Sequence, residues 1–354
     1  MGKMKVLIID DSILFRILLK TLIRNIAGIE VCGTASDGSA GLVAVEKHHP
    51  DLVLLDVEMP KMTGLDVMKA LSDKGKGIRV IMCSAFTVAG ADVTVKALEL
   101  GAHDFITKPE GKNKEDSIKI LKSQLIPLLE ELKAKLKPKP KLKQKDTTPL
   151  IRSKHKIPKR ATKKIDAEVI GIGISTGGPK ALAEVLPKLP ATFKIPIVIV
   201  QHMPKLFIES LANSLNKKCK LEVRVAKDGD LLRSGTIYLA PGERQMGVVE
   251  KRGLKVITIK DAPPENYCKP AADYLFKSLA KSYGSKALGI IMTGMGGDGA
   301  KGLLEMKNNG SYTIAQDEES STIYGMPQEA AKLGAVTTVL SLEQIAPHLV
   351  KALT

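Results

Sequence analysis

Tryptophan is absent from this 354-residue chain, and aromatic residues of all kinds make up 3% of it. Its cores must therefore be packed from Leu, Ile, Val, Ala and Met. The four cysteines, Cys32, Cys83, Cys219 and Cys268, are scattered, with no C-x-x-C pair and no histidine at ligand spacing. That argues against a disulfide framework or a zinc site and fits a reducing compartment. No apolar run reaches the roughly 18 residues of a membrane span. The opening "MGKMKVLIIDD" is a charged start running into a short strand rather than a signal peptide. Val6 stands where a myristoylation motif needs Ser or Thr. The expectation is a soluble, cytoplasmic protein.

What is abundant is positive charge, +16 overall. Residues 133–164 hold 14 Lys or Arg against the single acid Asp146, so almost all of the excess belongs to one segment. With four prolines and no apolar periodicity, that segment cannot bury enough surface to offset its ordering entropy. Residues 132–165 are therefore expected to be an extended linker, about 30 Å across even as a neutral coil. A docking arm for an acidic protein or membrane surface is the functional alternative. With no aromatic residue to stack on bases, the segment does not suggest nucleic acid.

Residues 1–131 alternate apolar strands, "KVLII", "EVCGTA", "DLVLLD", "RVIMCS" and "DFITK", with amphipathic stretches. Five such units predict a doubly wound α/β domain with a parallel sheet, whose ligands bind at the carboxyl ends of the strands. Asp10 and Asp11 follow the first strand, and Asp56, Ser84 and Lys108 end the third, fourth and fifth. Three carboxylates on one edge repel, at about 4 kcal/mol for a pair ~4 Å apart in an effective dielectric of ~20. A hard divalent cation such as Mg²⁺ relieves that strain. Lys108 and Ser84 suit a phosphoryl group, and Asp56 is the natural nucleophile toward a phosphoryl donor.

Residues 166–354 repeat the alternation in "AEVIGIGIS", "IPIVIVQH" and "ALGIIMTG". Four closely spaced apolar runs between the second and third, "LEVRVA", "GTIYLAP", "QMGVVE" and "LKVITI", read as a small antiparallel arm. "GISTG" at 173–177 fits G-x-S-x-G, a strand-to-helix turn that exposes a nucleophilic serine. A phosphate cradle is the other reading, but "GIGISTGG" has Thr176 in place of the third glycine and no following G-K-[ST]. Among the six histidines, His202 is the one that directly follows an apolar strand of this half, which makes it the candidate base. Asp298, in the glycine-rich loop after "ALGIIM", is the candidate acid to orient it. Asp273 heads a helix and is a candidate for shaping the cleft.

The stretches "IIDDS", "LLDVEMPKMTGLDV", "MCSAF" and "GAHDFITKP" resemble response-regulator receiver domains, which have the flavodoxin-like (βα)₅ fold. The resemblance implies phosphorylation of Asp56 by a histidine kinase phosphodonor. It also implies Mg²⁺ held by Asp11, Asp56 and a carbonyl near Glu58 with Asp10 supporting, and movement of Ser84 and Phe105 on activation. Thr63 stands where these proteins commonly have Asp. "GISTGGPKAL", "QHMP", "DGDLLRSGTIYLAPGE" and "IIMTGMGGDGAKGL" resemble the catalytic domain of chemotaxis protein-glutamate methylesterases/glutaminases. This implies hydrolysis of glutamyl methyl esters and deamidation of glutamines on chemoreceptor helices. Ser175 would be nucleophile, His202 base and Asp298 orienting acid, with backbone N–H groups near Thr176 and Met295 for the oxyanion and no cofactor in the esterase site. Gln245, Lys269 and Ala271 depart from that family's usual His, Arg and Ser. The rival reading is a non-catalytic regulator whose second domain binds a partner or drains phosphate.

Overall fold

The computed structural model describes residues 3–73, 77–109, 114–136 and 165–353. In the first half, strands β1 (Met4–Ile9), β2 (Ile29–Ala35), β3 (Leu52–Asp56), β4 (Arg79–Ser84) and β5 (Asp104–Thr107) form one parallel sheet. Their spatial order is β2-β1-β3-β4-β5. Helices α1 (Ile13–Arg24), α2 (Gly38–His48), α3 (Gly64–Asp73), α4 (Val88–Glu99) and α5 (Lys114–Leu136) connect and follow them. β3 is buried along its whole length, as a central strand covered by helices on both faces must be. Ser12, Asp37 and Thr87 cap α1, α2 and α4, each accepting from a first-turn amide. The last helix runs to Leu136, past the expected domain boundary at residue 131, and residues 137–164 of the expected linker lie outside the described residues.

The second half contains β6 (Val169–Ile174), β7 (Ile197–Gln201), β8 (Glu222–Val225), β9 (Thr236–Leu239), β10 (Gln245–Lys251), β11 (Leu254–Lys260), β12 (Ala287–Ile291), β13 (Tyr312–Gln316) and β14 (Thr338–Leu340). Its helices are α6 (Gly178–Val185), α7 (Lys205–Lys218), α8 (Ala272–Tyr283), α9 (Ala300–Asn308), α10 (Gly325–Lys332) and α11 (Leu342–Leu353). Seven strands pair in the order β14-β13-β12-β6-β7-β9-β8, all parallel. Only β10 and β11 form the antiparallel arm. The expectation that β8 and β9 belong to that arm is wrong: both extend the main sheet. Residues 226–235 carry the chain between these two parallel strands without a helix, so their close spacing mimics a hairpin.

β6 lies between β7 and β12, the point where the chain's winding direction reverses. The carboxyl ends of these three strands therefore open onto a topological crevice. The core is aliphatic, as the composition requires, with Phe193, Phe207, Phe276 and Tyr238 its large aromatic members.

The two halves touch along the α4–β5 edge of the first and α6–α7 of the second. The Phe105 ring stacks on Phe207 with centroids 4.3 Å apart, and Phe86 lies 6.0 Å from the same ring. Around this pair, Ser210 donates to Asp92, Ser214 Oγ donates to Glu99 Oε1 at 2.7 Å, and Lys218 Nζ reaches Glu99 Oε2 at 2.5 Å.

Candidate functional site

At the carboxyl edge of the first sheet, the carboxylates of Asp10, Asp11 and Asp56 come within 4.8 Å of one another. Asp10 and Asp56 are buried while Asp11 is exposed. Lys108 Nζ bridges Asp10 Oδ2 at 2.9 Å and Asp56 Oδ2 at 2.8 Å. Burial raises the Asp56 carboxyl to about 6; Lys108 pulls the other way and the charge of Asp10 adds to the rise. Crowded hard oxygen donors whose repulsion one lysine does not relieve suit Mg²⁺. Ser84 is buried at the same edge, with its hydroxyl donated to Ala85 O at 3.1 Å. Phe105 lies apart from this cluster, on Phe207. Thr63 caps α3 through Asp66, its hydroxyl donating to Oδ2 at 2.7 Å.

In the second half, β6 delivers Ser175 and β7 delivers His202 side by side: the His202 amide donates to Ile174 O at 3.2 Å. The Ser175 amide donates to Thr293 O at 3.0 Å, tying the turn to the loop after β12. Gly177 adopts φ +78°, which lets the chain enter α6 immediately after Ser175 and Thr176. From the third strand end, Asp298 Oδ2 lies 2.8 Å from His202 Nε2. The same carboxylate accepts from the Ala272 amide at 2.6 Å, the Asp273 amide at 3.1 Å and Asn266 Nδ2 at 3.0 Å. Two of these donors are first-turn amides of α8, whose dipole also favours an anion there. Burial opposes the charge on Asp298, but His202 and these donors hold its carboxyl below the ordinary range. Burial likewise opposes a charged His202, but Asp298 and then Cys268 outweigh it and raise the imidazole to about 9. With Nε2 committed to Asp298, Nδ1 is the ring nitrogen left outside that pair.

Four other acids of this half have partners other than the imidazole. Asp273 accepts from the Gly302 amide at 2.6 Å and from Asn266 at 2.7 Å, bracing α8 against α9. Asp228 accepts from the Ile259 amide at 2.8 Å, Asp230 pairs with Arg224, and Asp261 pairs with Lys269 and Arg244. The departures Gln245 and Ala271 meet each other: Gln245 Oε1 accepts from the Ala271 amide at 2.8 Å, while its Nε2 donates to Pro263 O and Cys268 O. They shape the loop beside His202.

Three residues at this site were not anticipated. Gln201, buried, donates through Nε2 to Ser175 O at 3.1 Å and His202 O at 3.2 Å, holding the two backbones together. A polar residue closing the run "IPIVIVQ" was a readable signal for it. Asn266 binds Asp298, and Cys268 Sγ lies 3.9 Å from His202 Nδ1. Nothing local in the sequence brings either of them there. Across the two halves, Thr176 Oγ1 donates to Asp104 Oδ2 at 2.5 Å.

Fold and site together define a response regulator whose output domain is a hydrolase. The model of the CheB methylesterase family matches residues 170–349, and that of the response regulator receiver domain matches residues 6–118. The chain is 42% identical over 361 residues to the protein-glutamate methylesterase/protein-glutamine glutaminase of Desulfotalea psychrophila, covering 99% of this chain and 98% of that protein. It is 41% identical to the protein of the same name from Pyrococcus horikoshii, covering 99% and 94%. The crystal structure of the Thermotoga maritima CheB methylesterase catalytic domain superposes with a TM-score of 0.51 at 37% identity, covering 52% of this chain and 98% of that one. This chain belongs to the receiver-linked protein-glutamate methylesterase/protein-glutamine glutaminase family.

Proposed function

We propose that this chain is a phosphorylation-activated, cytoplasmic serine hydrolase that demethylates glutamyl methyl esters, releasing methanol, and deamidates glutamines on chemoreceptor helices. Ser175 attacks the acyl carbon as its proton passes to His202 Nδ1, while Asp298 steadies the imidazolium through Nε2. His202 then passes that proton to the departing group, which leaves as methanol from the ester or ammonia from the amide, and afterwards activates the water that releases the glutamate. The amides of Thr176 and Met295 donate to no backbone acceptor among the described residues, which supports their use for the oxyanion. The observation that carries the reading is the convergence of Ser175, His202 and Asp298 at the switch point of one parallel sheet.

In the first domain, Asp56 accepts the phosphoryl group from a histidine kinase phosphodonor. Asp10, Asp11 and Asp56 would hold Mg²⁺, which when bound neutralises phosphoryl charge. Lys108 and Ser84 receive the phosphoryl oxygens. The Asp104–Thr176 and Phe105–Phe207 contacts support a resting state in which the receiver sits beside Ser175, and phosphorylation shifts the population away from it. The basic segment expected over 132–165, whose residues up to Leu136 belong to α5, joins the two expected domains, 1–131 and 166–354.

Methanol release from methylated receptor tests the whole reading. Ser175→Ala should lose at least about three orders of magnitude. Asp56→Asn, or chelation of Mg²⁺, should remove stimulation by a small-molecule phosphodonor and leave the basal rate. Undiminished hydrolysis by Ser175→Ala refutes the nucleophile; a normal response of Asp56→Asn refutes the switch.

A further inference from the structure

Of the four cysteines, Cys268 is the one beside His202. Burial pushes the thiols of Cys32, Cys83 and Cys219 upward, Cys219 to about 11, and so keeps them protonated and poor as ligands. Cys268 instead sits, partly exposed, with Sγ 3.9 Å from His202 Nδ1 and within donor distance of Asn266 O at 3.4 Å. The loop that presents it carries two consecutive left-handed residues, Asn266 at φ +49° and Tyr267 at φ +63°, a conformation that costs side-chain-bearing residues energy. His202 keeps 16% of its side chain exposed, and Cys268 beside it is partly exposed, so solvent reaches the pair.

We propose that His202 Nδ1 and Cys268 Sγ form an inhibitory site for a soft divalent cation of the zinc class. The inference rests on the catalytic role given to His202. Zinc bonds of about 2.0 Å to nitrogen and 2.3 Å to sulfur, at a tetrahedral angle, put the two donors roughly 3.5 Å apart. The observed pair needs to close by only a few tenths of an ångström. Asp298 already accepts from His202 Nε2 at 2.8 Å, the carboxylate–histidine arrangement that orients a metal-binding imidazole and leaves Nδ1 facing the ion. Its oxygens take three further donors, so Asp298 serves as support and water completes the coordination. Binding releases the thiol proton, and the Nδ1 proton when the ring is charged, to solvent; no electrons move. An ion on Nδ1 occupies the lone pair that must take the Ser175 proton, and hydrolysis stops.

The test titrates the full-length protein with Co²⁺ and reads the thiolate-to-cobalt charge-transfer band, a signal independent of hydrolysis. The wild type should show the band, Zn²⁺ should abolish it by displacement, and Cys219→Ser should keep it. Cys268→Ser and Cys268→Ala should lose it, and Asp298→Asn should weaken Zn²⁺ affinity about 10- to 100-fold. In parallel, Zn²⁺ should inhibit methanol release reversibly, and Cys268→Ser should resist when compared with its own zinc-free rate. No band in the wild type, or an equal band in Cys268→Ser, overturns the proposal. A band with no hydrolysis under any condition indicts the catalytic reading and leaves the metal site standing.

Discussion

Asp104 Oδ2, on the receiver's last strand, accepts a hydrogen bond from Thr176 Oγ1 at 2.5 Å, and Thr176 is the residue after Ser175. Removal from water raises the Asp104 carboxyl to about 6, against the opposing pull of the Thr176 hydroxyl and the Phe105 amide. A carboxyl whose value is higher in the docked state favours docking when protonated. Contact between the domains should therefore tighten as pH falls through about 6 and loosen as pH rises above it. Small-angle scattering of the unphosphorylated protein should show a smaller radius of gyration at pH 5.5 than at pH 7.5. Asp104→Asn, which keeps an acceptor without the charge, should be compact at both. The opposite slope would exclude Asp104 as the controlling group.

Phe105 and Phe207 give a second handle on the same contact. Stacked aromatic pairs contribute about 0.5–1.5 kcal/mol beyond burial, so losing this one should raise the separated population about two- to tenfold. Phe105→Ala should raise methanol release without phosphodonor by that factor and shrink the further gain on phosphorylation. Phe207 is fully buried, so Phe207→Leu, which keeps most of its volume, is the partner substitution. A basal rate unchanged in both variants would mean that the stack does not restrain the enzyme.

The sequence made the strand-end chemistry readable because each side chain closes an apolar run: Asp10 and Asp11 after β1, Asp56 on β3, Ser84 on β4, Ser175 after β6 and His202 after β7. In a parallel sheet such positions share an edge by construction. What stayed hidden depends on parts distant in the chain. Asn266 and Cys268 reach the imidazole through an irregular loop, and Asp104 reaches Thr176 only because two domains pack. The receiver resemblance implies that Phe105 moves, but its partner on α7 has no local signature. The close spacing of β8 and β9 suggests a hairpin, whereas their parallel pairing is set by the edge of a sheet already built from β6 and β7.

His202 makes the pH dependence of hydrolysis predictable. With the imidazole raised to about 9, it is charged and unable to accept a proton over most of the neutral range. kcat/KM should therefore climb with pH toward about 9. Cys268 supports the charged ring, so Cys268→Ala should move the climb to lower pH, with the same displacement in the imidazole titration followed by NMR. Asp298→Asn should lower the titration too and cut kcat by about three orders of magnitude or more, because the ring loses its orienting acceptor. A titration unmoved by either substitution would show that neither neighbour sets the charge of the ring.

Gln201 tests whether the proposed catalytic geometry is held by backbone ties as well as by the His202–Asp298 hydrogen bond. Its side-chain amide spans the carbonyls of Ser175 and His202, and a Cβ added at Gly178 would lie 1.8 Å from Gln201 Oε1, so the amide is tightly confined. Gln201→Met keeps the length and removes both donors. Leaving a buried acceptor without its donor costs about 1–3 kcal/mol, which should appear as a lower melting temperature of the catalytic domain. Ser175 and His202 would keep only the His202 amide bond to Ile174 O between them, and misplacement on the ångström scale costs about 100-fold in rate. The loss should fall on kcat with KM nearly unchanged, because Gln201 is buried and does not reach the substrate. A variant that melts early but turns over normally once folded would limit Gln201 to a role in stability, and a normal melting temperature with reduced kcat would make it a positioning residue alone.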